Sequence, residues 1–233
     1  CYCQNYAISQ QGLGKAIDEH RLSDIFLELQ AKGAANLNLV TATQWLPWVT
    51  AALDAARARG LRLPVVWNTG GYETEETVAA LAGYVDVWLC DVKYISTKLS
   101  KMYSDAADYF TVCEKAVKAM LAQAGRPVLD GEGYLQRGVI LRHLVLPGCL
   151  SDSLAVLDWM ATLPRGSVIP SRMSQYTPFY KAKETKPLDR RISTWEYRKV
   201  IDRAVELGLT EGYMQEKSSA KEEYTPPFDL EGV

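Results

Sequence analysis

Apolar runs of strand length alternate with amphipathic stretches of helical period along most of this chain. Between residues 22 and 32, Leu22, Ile25, Phe26 and Leu29 recur at the spacing of one helix face. Residues 36–40 then read as a short buried strand, 46–60 as a helix closed by Gly60, and 63–67 as a second strand. A helix over 73–81 follows, its acidic first turn suiting the helix dipole, and then a strand over 85–89. The rhythm continues with a long helix over 109–124, a strand over 139–146 ending at Pro147-Gly148, a helix over 152–163 and a strand over 168–176. Thr194 is the expected N-cap of a helix over 194–207 with Tyr197 on its buried face, and residues 213–215 suit a last short strand.

Strand then helix, repeated, predicts parallel strands joined by right-handed crossovers. The predicted fold class is α/β: a partial (β/α) barrel of TIM type, lacking its first strand, which residues preceding Cys1 would supply. A doubly wound open sheet is the competitor. No Gly-x-Gly-x-x-Gly follows a strand, so a dinucleotide-binding fold lacks its usual signature. Residues 1–216 are expected to form the barrel domain, and residues 217–233, acidic and proline-containing, an irregular tail packed on it. Two insertions interrupt the rhythm: residues 126–137, where Asp130-Gly131-Glu132-Gly133 has turn composition, and the Lys- and Pro-rich residues 177–191.

Composition narrows the function classes. The 233 residues, 48% hydrophobic and 23% charged, suit an ordinary soluble globular protein. A net charge of −2 with no basic run argues against nucleic-acid binding. No apolar stretch of about 18 residues offers a membrane span. The five cysteines are odd in number and widely spread, which fits a reducing cytoplasm better than a secreted disulfide framework. With two histidines, a histidine-rich metal site is not available.

In parallel α/β folds, ligands bind beyond the carboxyl ends of the strands. Here those ends are polar. Thr41 and Thr43 follow the first strand, where their hydroxyls would meet a ligand or cap the next helix. Asn68 and Thr69 end the second strand ahead of Gly70-Gly71, a pair that permits a tight turn or a close approach. Asp91 and Lys93 are two apart and therefore face the same side of their strand end; they would meet a ligand or form a salt bridge. Arg142 is a charge within an apolar strand and needs a partner there, while alternation turns His143 to the opposite face, against a helix. Tyr176 stands at the end of the next strand. Cys149, after Pro147-Gly148, reads as a thiol facing the mouth or as a buried small hydrophobe. His20 sits near a helix start and reads as solvated.

The chain opens Cys1-Tyr2-Cys3-Gln4-Asn5. This resembles the end of the Cys-x3-Cys-x-aromatic-Cys motif of radical S-adenosylmethionine (SAM) enzymes, and among them the pyruvate formate-lyase-activating-enzyme-like proteins, many of which continue Cys-Gln-Asn. On that alignment Tyr2 is the aromatic, Cys3 the third cluster cysteine and Cys1 the variable position, with the first two cluster cysteines upstream of this sequence. The resemblance extends to Asn68-Thr69-Gly70-Gly71 (Asp-Thr-Asn-Gly in the activating enzymes), to Asp91-x-Lys93 and to the strand from Arg142 to Pro147-Gly148. It departs after the first strand, where Thr41-Ala42-Thr43 replaces a Gly-Gly-Glu segment. Residues 38–43 and 173–178 look most like an uncharacterised branch related to the activases.

The resemblance implies a 4Fe-4S cluster held by three thiolates, whose open iron takes the amino and carboxylate groups of SAM. It implies reductive cleavage of SAM to methionine and a 5′-deoxyadenosyl radical, which abstracts hydrogen from a substrate such as a protein glycyl residue. It further implies an electron donor such as flavodoxin or ferredoxin. Cys3 would ligate the metal, and Tyr2, Thr41, Thr43, Asn68, Thr69, Asp91, Lys93, Arg142 and Tyr176 would line the SAM site. By itself the chain is then expected to be colourless and inactive, its mouth rearranged near residue 1. Two other readings stay open: a barrel that has lost radical chemistry and binds proteins, and a lyase using Lys93 as a Schiff-base amine with Asp91 as its partner.

Overall fold

A computed structural model describes residues 1–210 and 212–214; the tail expected over 217–233 lies outside the described residues. A short helix α1 (Tyr6–Ser9) and helix α2 (Glu19–Ala31) lead into strand β1 (Leu37–Val40). Asp18 starts α2, its carboxylate accepting from the Arg21 amide, so the helix begins ahead of the first apolar position that predicts it. The sequence then runs α3 (Leu46–Ala58), β2 (Val65–Thr69), α4 (Glu75–Ala80), β3 (Val87–Asp91), α5 (Thr97–Ser104) and α6 (Tyr109–Ala124). It closes with β4 (Val128–Leu129), β5 (Leu135–Leu144), α7 (Leu150–Thr162), β6 (Ile169–Met173), α8 (Thr194–Glu206) and β7 (Tyr213–Met214).

The strands form one sheet in the order β1-β2-β3-β5-β6-β7, every neighbouring pair parallel, with β4 added antiparallel to β5. Among the described residues the order never reverses, so these strands form no topological switch point of the doubly wound kind. Crossovers of one hand along such an order deliver the helices to a single face. β1 and β7 stand at opposite ends of the order, so among the described residues the sheet is open.

Burial follows this winding. Trp88 and Cys90 of β3, Val139, Leu141 and His143 of β5, and Pro170 and Arg172 of β6 are buried beneath the helices. The alternate residues Leu89 and Asp91, Ile140, Arg142 and Leu144, and Ser171 and Met173 are only half-buried. They define a second, open face. Strand register lines up Asn68 with Leu89, Asp91 with Arg142, and Arg142 with Ser171, so polar residues from four strands meet there. On the covered face Arg172 is 1% exposed; its Nη1 donates to the Leu209 carbonyl, and its Nε and Nη2 meet no acceptor among the described residues.

Besides the short α1, the periodicity missed two features that bear on the fold. Helix α5 has few apolar positions, and much of its start is fixed from afar: Asp152 of α7 accepts from the Ile95 and Ser96 amides, and Ser96 caps Leu99. The insertion at residues 126–137 is a β4–β5 hairpin whose turn is tied by Asp130, which accepts from the Glu132 and Tyr134 amides.

Helix α8 is capped one residue earlier than expected, by Ser193, so Thr194 is its first helical residue. Ser193 and Glu196 form a reciprocal capping box. Glu196 is 6% exposed, and its two oxygens also accept from Arg190 (2.8 Å each) and from the Gly148 amide at 2.7 Å, which tethers the loop after β5 to α8. The Arg190 hydrogen bonds, against opposition from burial, hold its carboxyl far below the ordinary carboxylate range. Glu196→Ala is expected to destabilise the fold by about 2–3 kcal/mol. Because the folded value is depressed, this contribution is complete above the unfolded carboxylate pKa near 4 and is lost as pH falls below it. Urea titrations of both proteins at neutral and acidic pH check this; a gap that fails to narrow in acid contradicts it.

Candidate functional site

The open face is organised around Asp91, the last residue of β3. Its Oδ1 accepts from Arg142 Nε at 2.5 Å, and its Oδ2 pairs with Lys93 Nζ at 3.3 Å. Arg142 Nη2 donates to the amide oxygen of Asn68 at 2.9 Å. Burial alone would raise the Asp91 pKa, but the charges of Lys93 and Arg142 and their hydrogen bonds outweigh it and hold the carboxyl below its ordinary value. The cluster contains one carboxylate and two cations, since Asn68 contributes acceptor oxygen without charge.

Tyr2 closes the cluster from the amino-terminal side. Lys93 Nζ lies 5.9 Å from the centre of its ring, and the ring meets Tyr176 edge-on at 6.1 Å. Tyr2, Asn68, Asp91, Lys93, Arg142 and Tyr176 therefore stand in one contiguous set. Tyr176 spends its hydroxyl on the Leu188 carbonyl, so only its ring faces Tyr2. Beside them, Tyr2, Gln4, Leu144, Met173, Gln175 and Phe179 line a cleft of about 50 Å³.

The remaining candidates sit differently. Thr69 pairs in register with buried Cys90 and turns away from Asn68; its hydroxyl donates to Glu73 Oε1 at 2.6 Å. Thr43 donates to the same oxygen at 2.7 Å. Neither hydroxyl lies in the Asp91 cluster; both are bound to a buried carboxylate that ties the loop after β1 to the end of β2. Thr41 is exposed, with φ 51°, and its amide donates to the Asn68 carbonyl at 2.8 Å. A β-branched residue in that region is strained by about 1–3 kcal/mol. Among the described residues no helix takes its side-chain cap from Thr41 or Thr43: the turn at Thr43–Trp45 and α3 begin without one.

Cys3 is exposed, its Sγ 3.4 Å from Ser9 Oγ, and Cys1 is half-buried. Cys149 is buried near Tyr103, and burial pushes its thiol pKa up, the opposite of an activated nucleophile. His143 lies on the helix side, 2.7 Å from the Val92 carbonyl and 2.9 Å from Ser153 Oγ. The carbonyl can only accept, so Nδ1 carries the proton and Nε2 accepts from Ser153. Burial lowers its pKa and keeps it neutral.

Sequence reasoning missed Glu73, read as a residue of the following helix; that helix starts only at Glu75, capped by Thr74. It also missed Tyr109, whose hydroxyl donates to the Gly70 and Asp91 carbonyls and accepts from the Lys93 amide. Nothing local marks either residue, because both act on partners from other elements.

No family model matches the chain. It is 29% identical over 217 residues to an uncharacterized protein of Methanocaldococcus jannaschii, an alignment that takes in 89% of this chain and 59% of that protein. The chain thus spans well under two thirds of that relative. Among solved structures it is similar to a domain of pyruvate-formate lyase-activating enzyme from Bacteroides vulgatus, with a TM-score of 0.55 and 13% sequence identity, covering 78% of this chain and 100% of that domain. The fold is therefore a mixed α/β fold like that of an activating-enzyme domain. No helix among the described residues is long and apolar enough to cross a membrane.

Proposed function

We propose that this chain is the SAM-holding part of a radical SAM enzyme of the activating-enzyme-like kind, a partial barrel in a longer polypeptide. The observation that carries the reading is the Asn68–Asp91–Lys93–Arg142 cluster at the carboxyl ends of three adjacent parallel strands, with Tyr2 against it and Cys3 one residue beyond Tyr2. Two cations against one carboxylate suit a ligand bearing a carboxylate. The Asn68 and Asp91 oxygens retain lone pairs for ribose hydroxyls, and Tyr2 offers a ring face for a base.

The residues present do not by themselves fit a 4Fe-4S cluster. Such a cluster needs thiolates in a set, and no group of three metal-ligating side chains exists among the described residues. In this reading Cys3 is one ligand, and the others come from outside this sequence. The cleft is also far smaller than the roughly 300–1,000 Å³ of a typical ligand pocket. Binding SAM therefore requires this cleft to widen. An electron donor such as flavodoxin or ferredoxin and a hydrogen-donating substrate, of which a protein glycyl residue is one kind, belong to the same reading.

The test is reconstitution of the longer polypeptide with iron and sulfide. Under reduction it is expected to release 5′-deoxyadenosine from SAM, with activity lost in Cys3→Ser. Arg142→Ala is expected to weaken SAM binding by about tenfold or more, the worth of a charged hydrogen bond. A reconstituted protein that neither binds SAM nor yields 5′-deoxyadenosine overturns the reading.

A further inference from the structure

The open face connects to the protein surface through tyrosine rings. Tyr2 beside Lys93 meets Tyr94 edge-on at 6.4 Å, Tyr94 meets Tyr109 at 5.6 Å, and Tyr109 stacks on Tyr72 at 6.2 Å and 9°. Tyr94 is 1% exposed and Tyr109 3%, whereas Tyr72 is 50% exposed. We propose that Tyr2, Tyr94, Tyr109 and Tyr72 form a hopping path that carries an oxidising equivalent from the open face to the surface at Tyr72.

Packing alone does not require this arrangement. At Tyr2, Tyr94 and Tyr72 phenylalanine would fill the same space without a hydroxyl to satisfy, and only the Tyr109 hydroxyl also serves several backbone groups, yet every ring of the path is a phenol. The two buried links, Tyr94 and Tyr109, each place the hydroxyl on a partner: Tyr94 on Tyr2 at 2.6 Å, and Tyr109 on the Gly70 and Asp91 carbonyls. The direction follows from charge. The Lys93 ammonium above Tyr2 disfavours a positive hole there. At the other end Tyr72 donates to Asp108 Oδ1 at 2.8 Å, the one hydrogen bond in the path that runs from a phenol to a carboxylate. A tyrosine must shed its proton to rest as a neutral radical, and Asp108 is placed to take it.

The step balances. Tyr72 gives up one electron, which passes inward by successive hops, and its phenolic proton moves to the Asp108 carboxylate. An organic radical at the open face takes that electron and a proton from water and becomes the C–H compound. The path's use to the protein rests on such radicals arising at the open face, as proposed above. Its competence does not, so the test uses neither SAM nor a cluster.

Cys3 is the exposed thiol of the five, which permits attachment of a ruthenium polypyridyl beside Tyr2 in a Cys1→Ala background. Flash oxidation with an external electron acceptor generates ruthenium(III), which is reduced to ruthenium(II) as it oxidises the path. Radical sites are read as spin-trap adducts by peptide mass spectrometry. The expected result is an adduct on Tyr72, its loss in Tyr109→Phe, a lower yield in Asp108→Asn, and none on Tyr134, which is exposed but outside the path. Tyr72→Phe, a surface change that spares the core, is expected to leave a longer-lived tyrosyl signal inside. A full Tyr72 adduct in Tyr109→Phe, equal labelling of Tyr134, or an unchanged radical lifetime in Tyr72→Phe overturns the proposal.

Discussion

Asp91→Ala is expected to lower the unfolding free energy by about 3 kcal/mol and to abolish whatever affinity the open face has for a carboxylate-bearing nucleoside. The side chain is 18% exposed and stands between two cations, Arg142 and Lys93, that are themselves only 23% and 32% exposed. Removing it leaves two half-buried positive charges facing each other with no counter-charge, a larger penalty than the pairs contribute when intact. Asp91→Asn keeps the shape but not the charge and is expected to fall between. The folded Asp91 pKa is below its ordinary value, so its stabilisation is present above the unfolded carboxylate pKa near 4 and is lost as pH drops through the folded value. Chemical denaturation of the three proteins at neutral pH and in acid tests this. If Asp91→Ala costs the same in acid as at neutrality, the carboxylate charge is not the cause.

Gly71→Ala is expected to be comparably severe, for a steric reason. A Cβ at this position would lie 2.3 Å from the Asp91 carbonyl oxygen and 2.9 Å from both Cys113 Sγ and Tyr109 Oη. Backbone cannot yield as a flexible side chain does. The φ of 82° adds about 1–2 kcal/mol for a residue with a side chain, and overpacking adds roughly 1–3 kcal/mol more. Against a total stability of about 5–15 kcal/mol, that is enough to shift a large fraction of the chain toward the unfolded state. Gly70→Ala next door is the control: its nearest neighbour would be Lys93 Cε at 3.5 Å, an ordinary contact with a flexible side chain. Thermal unfolding of the pair is decisive, and equal losses at both positions would contradict the steric account.

The close approach at Gly71 shows where sequence reading stops. Paired glycines after a strand announce freedom of the backbone, but they do not say what comes near. Here it is the neighbouring strand end, whose carbonyl is also held by the Tyr109 hydroxyl at 2.8 Å. Thr43 and Thr69 teach the same lesson. Their positions at strand ends were legible, but Glu73 engages both hydroxyls, and alternation along β2 turns Thr69 from the open face. Helix α5 is a local version: its start depends on Asp152, 56 residues beyond Ser96 in the chain.

The sequence by itself determined what depends on period and on local chemistry. Strands alternate with helices, Asp91 and Lys93 share a side because strand side chains repeat every second residue, and Arg142 and His143 part for the same reason. Only the tertiary structure decided which strand ends are neighbours, and hence that Asp91 lies between Arg142 and Lys93, that Glu73 binds two loops, and that four tyrosines distant in sequence touch in a line. Those outcomes are set by strand order and register, which arise from packing the whole sheet beneath its helices and leave no mark on any one segment of the chain.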